Sequence, residues 1–456
     1  YEYDSTSNVY GKSPTTKNSN KEITLQVSGV TGTNNFANEK NFDYDSSWSG
    51  LKRTLVSGAT IESDGSLTTQ NISITGKYYN LTIPQTSIEG KAFTGKIYVT
   101  NHSCSTSEIP PAYITLLKAY GGKDNITELP NSAFENATTA NDKGMYKKAD
   151  DLGTSYYYRG AVDNNWVKFG KEGTKDIYWR IIRINGDGSI RMIYSGTNAP
   201  TSSSATVMTG AGTQITVDSA NTFEFNSSRD KAEYVGYQYI EGQQHGFGKC
   251  DGTNNASCTV NGNTVYNSTI KQAIDKWYAG TTLKDNNLVA DQIFCNDRSA
   301  STSDVTYSNT YYKTLTSWNS TGTQYYYGAY GRLNKSKSPV LTCPTASDKF
   351  TVNTSNGNGA LTYPVGLITA DEVAMAGGKL GTTNSSYYLY TNKYYWLGSS
   401  SGFNSSYAIE FGVKDSGSLS NIGGVNSIRG ARPVVSLSSK AKLSGNGTYT
   451  KPYTVS

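Results

Sequence analysis

Hydrophobic and polar residues alternate along the first quarter of the chain with the two-residue period of β-strands. Ile23, Leu25 and Val27 alternate with polar residues, and Ile72 and Ile74 repeat the period. The same spacing recurs at Leu81 and Ile83, and at Ile97 and Val99. Turn sequences such as Ser63-Asp-Gly65 separate these runs. The pattern predicts an antiparallel β-sandwich over residues 21–108.

Residues 1–20 are polar and only weakly patterned. We expect an extended N-terminal arm there, and Tyr1, Tyr3, Val9 and Tyr10 are apolar enough for it to dock on a neighbouring subunit. Ile109-Pro-Pro111 then interrupts the strand pattern. We therefore predict a linker over residues 109–151, with one short helix from Ala112 to Tyr120 and otherwise irregular structure.

After this linker the chain continues with three strand-like segments at 156–160, 166–169 and 178–184. The third is followed by Asn185-Gly-Asp-Gly188 and a returning strand over 189–194. Asn and Gly adopt the positive φ angles of a tight reversing turn, so this segment predicts a β-hairpin.

Helical spacing is confined to short segments. Ile270, Ala273, Ile274 and Trp277 lie on one face of a predicted helix over Ser268–Tyr278. A second helix is predicted after Thr369, which suits the N-cap position, and it should stop at Gly377-Gly378. Asp371 and Glu372 fall in its first turn, where capping is favoured over a role as an acid/base pair.

A Trp-containing strand, Tyr394-Tyr-Trp-Leu-Gly-Ser-Ser-Ser-Gly-Phe403, precedes a polar Gly/Ser/Asn-rich stretch and the apolar strand in Gly430-Ala-Arg-Pro-Val-Val-Ser-Leu437. Together with the capped helix before it, this order resembles the C-type-lectin-like fold of bacterial surface proteins and, more distantly, of formylglycine-generating enzymes. Cys295-Asn-Asp-Arg298 and Gly445–Tyr453 extend the resemblance over residues 112–456, toward Firmicutes-type surface or pilin-like proteins.

The resemblance implies a C-type-lectin-like display domain at residues 152–456. Its scaffold residues would be Trp179, Trp396 and Arg432, and its variable surface would span Gly398–Asn426. The display residues expected there are Ser399, Ser400, Phe403, Asn404, Tyr407, Asn421 and Asn426. Some members of this group carry an N-terminal membrane helix, which this sequence lacks.

Composition indicates an extracellular β-rich protein. Charged residues make up only 17% of the chain, whereas Tyr occurs 36 times and Gly 46 times. The net charge of +5 is scattered without a basic stripe, so nucleic acid is not an expected partner. No apolar run approaches the roughly 20 residues of a membrane span. We expect export to the cell surface and removal of an export signal. Several Asn-x-Ser/Thr sequences would permit glycosylation.

Five cysteines suggest two disulfides. Cys250 and Cys258 flank a turn-rich segment, and Cys295 and Cys343 form the next plausible pair. Cys104 would then be free or paired between subunits. A zinc site is the alternative, but there is no C-x-x-C sequence, and we predict no metal and no cofactor.

Nucleophilic catalysis requires a base beside the nucleophile, and the chain has only two histidines, His102 and His245, neither in a recognisable catalytic motif. We therefore expect no enzymatic activity. The sequence predicts a mainly β fold with few short helices. We expect it to serve as an adhesin or a filament (pilus-like) subunit that binds copies of itself through the arm, with glycans or proteins on another cell as further expected partners. The alternative is a carbohydrate-binding protein or an enzyme of the formylglycine-generating type.

Overall fold

The structure is a computed structural model that describes residues 111–202, 209–250, 256–301, 318–321 and 326–456 with their side chains, Ile422 excepted. Elsewhere it describes the backbone of strands only. The chain divides into two compact units, Tyr1–Glu108 and Ile109–Ser456. The division falls at the Ile109-Pro-Pro111 break in the sequence pattern.

The first unit contains short antiparallel strands. They are β1 (Glu2–Asp4), β2 (Val9–Lys12), β3 (Asn20–Lys21), β4 (Ile23–Ser28), β5 (Thr33–Asn34), β6 (Lys40–Asn41), β7 (Val56–Ser57) and β8 (Ser73–Tyr78). They pair in the orders β2-β1-β3, β6-β4-β8 and β5-β7. Strands β4 and β8 coincide with two of the predicted strands. The strands predicted near Leu81 and Ile97, and the packing of a sandwich, lie outside the described residues.

The N-terminal segment differs from the single extended arm that the sequence predicted. Strand β1 pairs antiparallel with β2, with Asp4 opposite Val9, and also with β3. The chain reverses between β1 and β2, so these backbone hydrogen bonds are made within the segment itself.

The second unit is a β-rich α+β structure, and the predicted fold class is confirmed. Its strands are β9 (Lys143–Asp150), β10 (Gly153–Gly160), β11 (Trp166–Glu172), β12 (Lys175–Ile184), β13 (Ile190–Tyr194), β14 (Gln238–Tyr239), β15 (Ser257–Val260), β16 (Asn263–Asn267), β17 (Val289–Ala290), β18 (Phe294–Cys295), β19 (Val305–Tyr307), β20 (Thr310–Tyr312), β21 (Gln324–Tyr326), β22 (Lys349–Phe350), β23 (Tyr395–Asn404), β24 (Ala408–Val413), β25 (Leu419–Gly424), β26 (Val434–Leu437), β27 (Leu443–Ser444) and β28 (Tyr453–Val455). Its α-helices in the described residues are α1 (Ala112–Lys118), α2 (Thr269–Ala279), α3 (Gly328–Gly331) and α4 (Ala370–Ala376).

The largest sheet has the order β17-β26-β13-β12-β11-β28-β27, with β10 pairing with both β12 and β9. The predicted hairpin is present: Ile184 pairs with Ile190 across the turn, and Gly188 has a φ of +84°. A smaller sheet has the order β21-β23-β24-β25. Further short sheets are β14-β16-β15, β18-β22 and β19-β20.

The predicted linker over residues 109–151 is wrong in its second half. Residues 143–150 form β9, which pairs with β10 over eight residues through the turn before Gly153. Only Met145 is fully buried in this strand, so the hydrophobic pattern was too weak to predict it. Helix α1 and β9 both belong to the second unit.

The scaffold residues Trp179, Trp396 and Arg432 are all buried, as predicted. The indole of Trp179 donates to the carbonyl of Phe169, and that of Trp396 donates to the carbonyl of Phe223. Burial of a guanidinium is costly unless its donors are satisfied. Arg432 donates to the carbonyls of Tyr194 and Leu389 and to the hydroxyl of Ser195, so it joins the segment before β26 to the end of β13 and to the loop before β23.

Two disulfides are present, Cys250–Cys258 and Cys295–Cys343, which confirms both predicted pairs. Cys104 lies outside the described residues. Over the part of the chain that the structure describes, no helix is long and apolar enough to cross a membrane.

Candidate functional site

The display surface predicted at Gly398–Asn426 consists largely of paired strands. Ser399, Ser400 and Phe403 lie in β23 with 2%, 0% and 1% of their surface exposed, so the prediction that they face a partner is wrong. The serine hydroxyls bond inside the protein: Ser399 Oγ accepts from Ala370 N, and Ser400 Oγ accepts from Asn296. Small residues are needed here because neighbouring elements cover the strand closely. A Cβ on Gly398 would lie 2.8 Å from the hydroxyl of Tyr237.

The other four predicted display residues are half-buried, and three of them lie at turns or strand ends. Asn404 Oδ1 accepts from the backbone N–H groups of Ser406 and Tyr407, and so closes the turn between β23 and β24. Asn421 lies within β25, and Asn426 lies in the turn that follows it. The structure thus brings Asn404, Tyr407 and Asn426 together at one end of this sheet.

Two arginine–tyrosine pairs lie along the segment that follows β25, one beside the turn between β23 and β24 and the other at the start of β23. The guanidinium of Arg229 lies 5.4 Å from the ring centroid of Tyr407, and that of Arg429 lies 4.9 Å from the ring of Tyr394. Ile428 adjoins Arg429 and is 59% exposed. We define the arginine–tyrosine surface as Arg229, Tyr394, Tyr407, Ile428 and Arg429.

The backbone under this surface is fixed by hydrogen bonds between distant segments. Phe223 and Arg429 exchange both of their backbone hydrogen bonds, and Ala408 N donates to the carbonyl of Arg229. Gly424 leaves room for the side chains around it, because a Cβ there would lie 3.3 Å from Tyr407 and 3.5 Å from Arg229. The surface is therefore preorganised.

A second candidate is a cluster of buried charges at the start of α4. Thr369 Oγ1 accepts from Glu372 N, and Glu372 Oε2 accepts from Thr369 N, which is a capping box. The prediction that Thr369 is the N-cap is confirmed. Of Asp371 and Glu372, the two residues predicted to cap the helix, Glu372 makes the capping hydrogen bond. Its other oxygen, Oε1, lies 2.9 Å from Arg183 Nε and 2.7 Å from Arg191 Nε.

The cluster continues on both sides. Arg183 also reaches Asp150, with an N–O distance of 2.7 Å, while Arg332 lies 2.9 Å from Asp297 and 3.0 Å from Asp371. These side chains, with the Cys295–Cys343 disulfide, surround a cavity of about 30 Å³. That volume accommodates water but no organic substrate.

The charges in this cluster suit a structural role. Burial raises the pKa of Glu372, but Arg191 and Arg183 outweigh it, so the pKa lies below its ordinary value. Burial raises the pKa of Asp297, and Arg332 opposes that rise only in part. A general acid or base works best with a pKa near the working pH, whereas Glu372 is held as a carboxylate by two arginines. Sequence reasoning found its capping role and missed its arginine partners.

No group of three or more potential metal ligands occurs among the residues described. His245 Nδ1 lies 3.1 Å from Asp348 Oδ2, and Asp348 in turn pairs with the buried Arg298 at 2.7 Å. His102 lies outside the described residues. The ion pair of Arg298 with Asp348 joins the segment after β18 to the segment before β22.

Glu410 in β24 is fully buried, and neither of its carboxyl oxygens has a hydrogen-bond partner. Burial raises its pKa well above the ordinary value, and Arg298 lowers it only slightly. The fold therefore favours the protonated form of this carboxyl. The unfolded chain ionises it near its ordinary pKa of about 4.3. The contribution of Glu410 to the free energy of unfolding is thus present below the unfolded pKa and is lost as the pH rises toward the folded pKa.

Glu410→Met should raise the free energy of unfolding by about 1–3 kcal/mol at pH 7, because it removes a buried carboxyl that has no hydrogen-bond partner. The gain should shrink as the pH falls toward the unfolded pKa of about 4.3, since the unfolded chain then gains less from ionisation of Glu410. Denaturant unfolding at pH 5, 6 and 7 measures it. Glu135→Met, at an exposed position, is the control and should change little. A gain that does not vary with pH would contradict a protonated Glu410.

Comparison of the chain with protein-family models, curated proteins and solved structures gives no match.

Proposed function

We propose that this chain is a non-enzymatic extracellular surface protein, an adhesin that binds its partner through the arginine–tyrosine surface. The observation that carries the proposal is the exposure of Ile428 between two arginine–tyrosine pairs. Among the residues described with side chains, Ile428 is the one large hydrophobic side chain that is exposed. An isolated exposed isoleucine is common, but here it adjoins the residue types that dominate binding hot spots.

The residue types and the preformed contacts of the arginine–tyrosine surface support recognition of a partner. Tyr and Arg provide large contact areas, and the cation–π contacts hold Arg229 over Tyr407 and Arg429 over Tyr394 before any partner arrives. Preorganised side chains lose less conformational entropy on binding. The neighbouring amide of Asn426 adds a polar group of the kind that fixes orientation.

The proposed partner is an anionic glycoprotein such as mucin. The two arginines supply positive charge, and the net charge of the chain is +5. Charge of opposite sign accelerates encounter and favours acidic partners. Tyrosine rings and arginine donors also suit the ring faces and hydroxyls of sugars.

An extracellular location is supported by the two disulfides, because such bonds persist mainly in oxidising compartments. The absence of enzymatic activity is supported by the charge cluster, where the acidic groups around a water-sized cavity are paired with arginines or, for Asp151, with Lys349. The likeness to C-type-lectin-like surface proteins stays a prediction. Assembly into a filament through residues 1–20 also stays a prediction, since those side chains lie outside the described residues.

Binding to mucin immobilised on a sensor tests the proposal. Arg229→Ala and Arg429→Ala should each weaken binding about tenfold, as expected for hot-spot arginines. Lys451→Ala, which removes a charge at an exposed position outside the surface, should leave binding unchanged. Equal binding by the wild-type chain and both arginine variants would overturn the proposal, as would no saturable binding by the wild type. Enzymatically deglycosylated mucin distinguishes recognition of glycan from recognition of protein.

A further inference from the structure

A second cavity opens near the start of the second unit and is distinct from the arginine–tyrosine surface. Its volume is about 280 Å³, and it lies between the 3-10 turn Asn131–Phe134 and the facing ends of β9 and β10. Its lining includes Ser132, Asn136, Lys143, Tyr146 and Arg159. The volume is close to the lower end of the range for small-molecule sites, which begins at about 300 Å³.

Arg159 is the buried cation of this cavity, with 6% of its surface exposed. Its Nη1 donates to the carbonyls of Ala374 and Met375 at 3.0 and 2.9 Å, and its Nη2 donates to the carbonyl of Ala133 at 2.7 Å. The guanidinium lies 5.0 Å from the ring centroid of Phe134. All of these partners are neutral, and no carboxylate of the described residues lies within ion-pair distance of Arg159.

An arginine in a protein keeps its positive charge, so a buried one that is not ion-paired with a carboxylate favours an incoming anion. The buried Arg432 also bonds to neutral acceptors, but it lies in solid core and lines neither cavity described here. Arg159 differs because open space adjoins it.

The other charges of the cavity leave an excess of one positive charge. Lys143 is exposed at the rim, and Asp142 is the acidic residue of the lining. Asp142 Oδ2 is occupied locally, accepting from the backbone N–H and the hydroxyl of Thr139 at 2.7 and 2.8 Å. Arg159 and Lys143 together therefore outweigh Asp142 by one charge.

The neutral part of the lining suits hydroxyl groups. Ser132 and Asn136 provide a hydroxyl and an amide, and Tyr146 contributes a half-buried ring with its phenol group. A ligand that matches the charge, the polar groups and the volume of this cavity carries one carboxylate and several hydroxyls on a ring about the size of a monosaccharide.

We propose that this cavity binds a sugar acid, with the carboxylate directed toward Arg159 and Lys143 and the hydroxyls toward Ser132 and Asn136. The chemical class is a uronic acid or a similar monosaccharide with one carboxylate. This site goes beyond the proposed adhesive function, does not share residues with the arginine–tyrosine surface, and can be tested without disturbing it.

Calorimetric titration of the full chain with glucuronate, and with glucose as the neutral counterpart, tests the site. The titration extends to about 20 mM, since single sugars bind with millimolar affinity when few contacts are made. The wild-type chain should bind glucuronate saturably and bind glucose at least about tenfold more weakly, because a charged hydrogen bond to the carboxylate is lost.

Arg159 itself is unsuitable for the test because its removal would free three carbonyls and disturb α4. Lys143→Glu reverses an exposed charge at the rim, and Ala137→Trp fills the cavity from its lining. Both should weaken glucuronate binding about tenfold or more, by charge reversal in one case and by steric exclusion in the other. Lys451→Glu makes the same charge change at an exposed position outside the cavity and should leave binding unchanged.

Three results would overturn the proposal: no saturable binding of glucuronate, equal binding of glucuronate and glucose, or undiminished binding by both cavity variants. Circular dichroism of each variant verifies folding. Because Lys143 and Ala137 lie outside the arginine–tyrosine surface, a loss of glucuronate binding with retained mucin binding separates the two sites.

Discussion

Glu372→Ala should lower the free energy of unfolding of the second unit by about 3–5 kcal/mol, because it leaves two buried arginines without their shared carboxylate. Arg183 keeps its contact with Asp150, whereas Arg191 loses its ion pair entirely. The same substitution removes the acceptor that caps Thr369 N, which adds to the loss. Denaturant unfolding followed by tryptophan fluorescence gives the value.

Two variants separate the causes. Glu372→Gln keeps a side chain that can accept the capping hydrogen bond but lacks the charge, so it should still lose most of the stability. Glu128→Ala breaks the 3.0 Å pair with Lys148 at the surface and should cost less than about 1 kcal/mol. If Glu372→Ala lowers the free energy of unfolding by no more than Glu128→Ala does, the buried charge cluster does not stabilise the fold as described.

The effect also has a defined pH dependence. The folded pKa of Glu372 lies below its ordinary value, so its contribution is present above the unfolded pKa of about 4.3 and is lost as the pH falls through the folded pKa. The difference between wild type and Glu372→Gln should therefore be largest near neutral pH and shrink in acid.

Removing the Cys295–Cys343 disulfide should have the second large effect. The bond joins residues 48 apart, and the loop-closure relation assigns about 4 kcal/mol to a link of that length. Cys343 also lies in the wall of the charge cluster, where its backbone N–H donates to Asp151. The double variant Cys295→Ser/Cys343→Ser should lower the free energy of unfolding by about that amount.

The second disulfide is the matched control. Cys250 and Cys258 are only 8 residues apart, so Cys250→Ser/Cys258→Ser should cost about 2–3 kcal/mol by the same relation. Unfolding of both double variants in guanidinium chloride shows which of the two loses more free energy of unfolding. A larger loss for the short loop than for the long one would contradict the account.

The sequence predicted what is local in the chain. The Asn185–Gly188 turn requires a residue that accepts positive φ at Gly188, and Thr369 with Glu372 caps α4 through groups three residues apart. The Cys250–Cys258 pair could be predicted because a turn-rich segment separates the two cysteines. These features depend on neighbours in sequence, so inspection of one segment suffices.

Contacts between residues far apart in the sequence were not predicted. The pair of Arg183 with Glu372 joins residues 189 positions apart, and no local pattern marks the match. The Gly/Ser-rich run of β23 resembles a loop, yet small side chains are required there because other elements pack closely against the strand. The arginine–tyrosine surface unites residues from four separate segments, so only Tyr407 of the five was predicted as a display residue.

Hydrogen exchange of the wild-type chain with and without mucin tests the central claim most directly, because it locates the bound surface without any substitution. The account predicts slower exchange in peptides that cover 404–407 and 423–429, with no change over 111–122. Protection confined to other segments, or no protection at saturating mucin, would contradict recognition through the arginine–tyrosine surface.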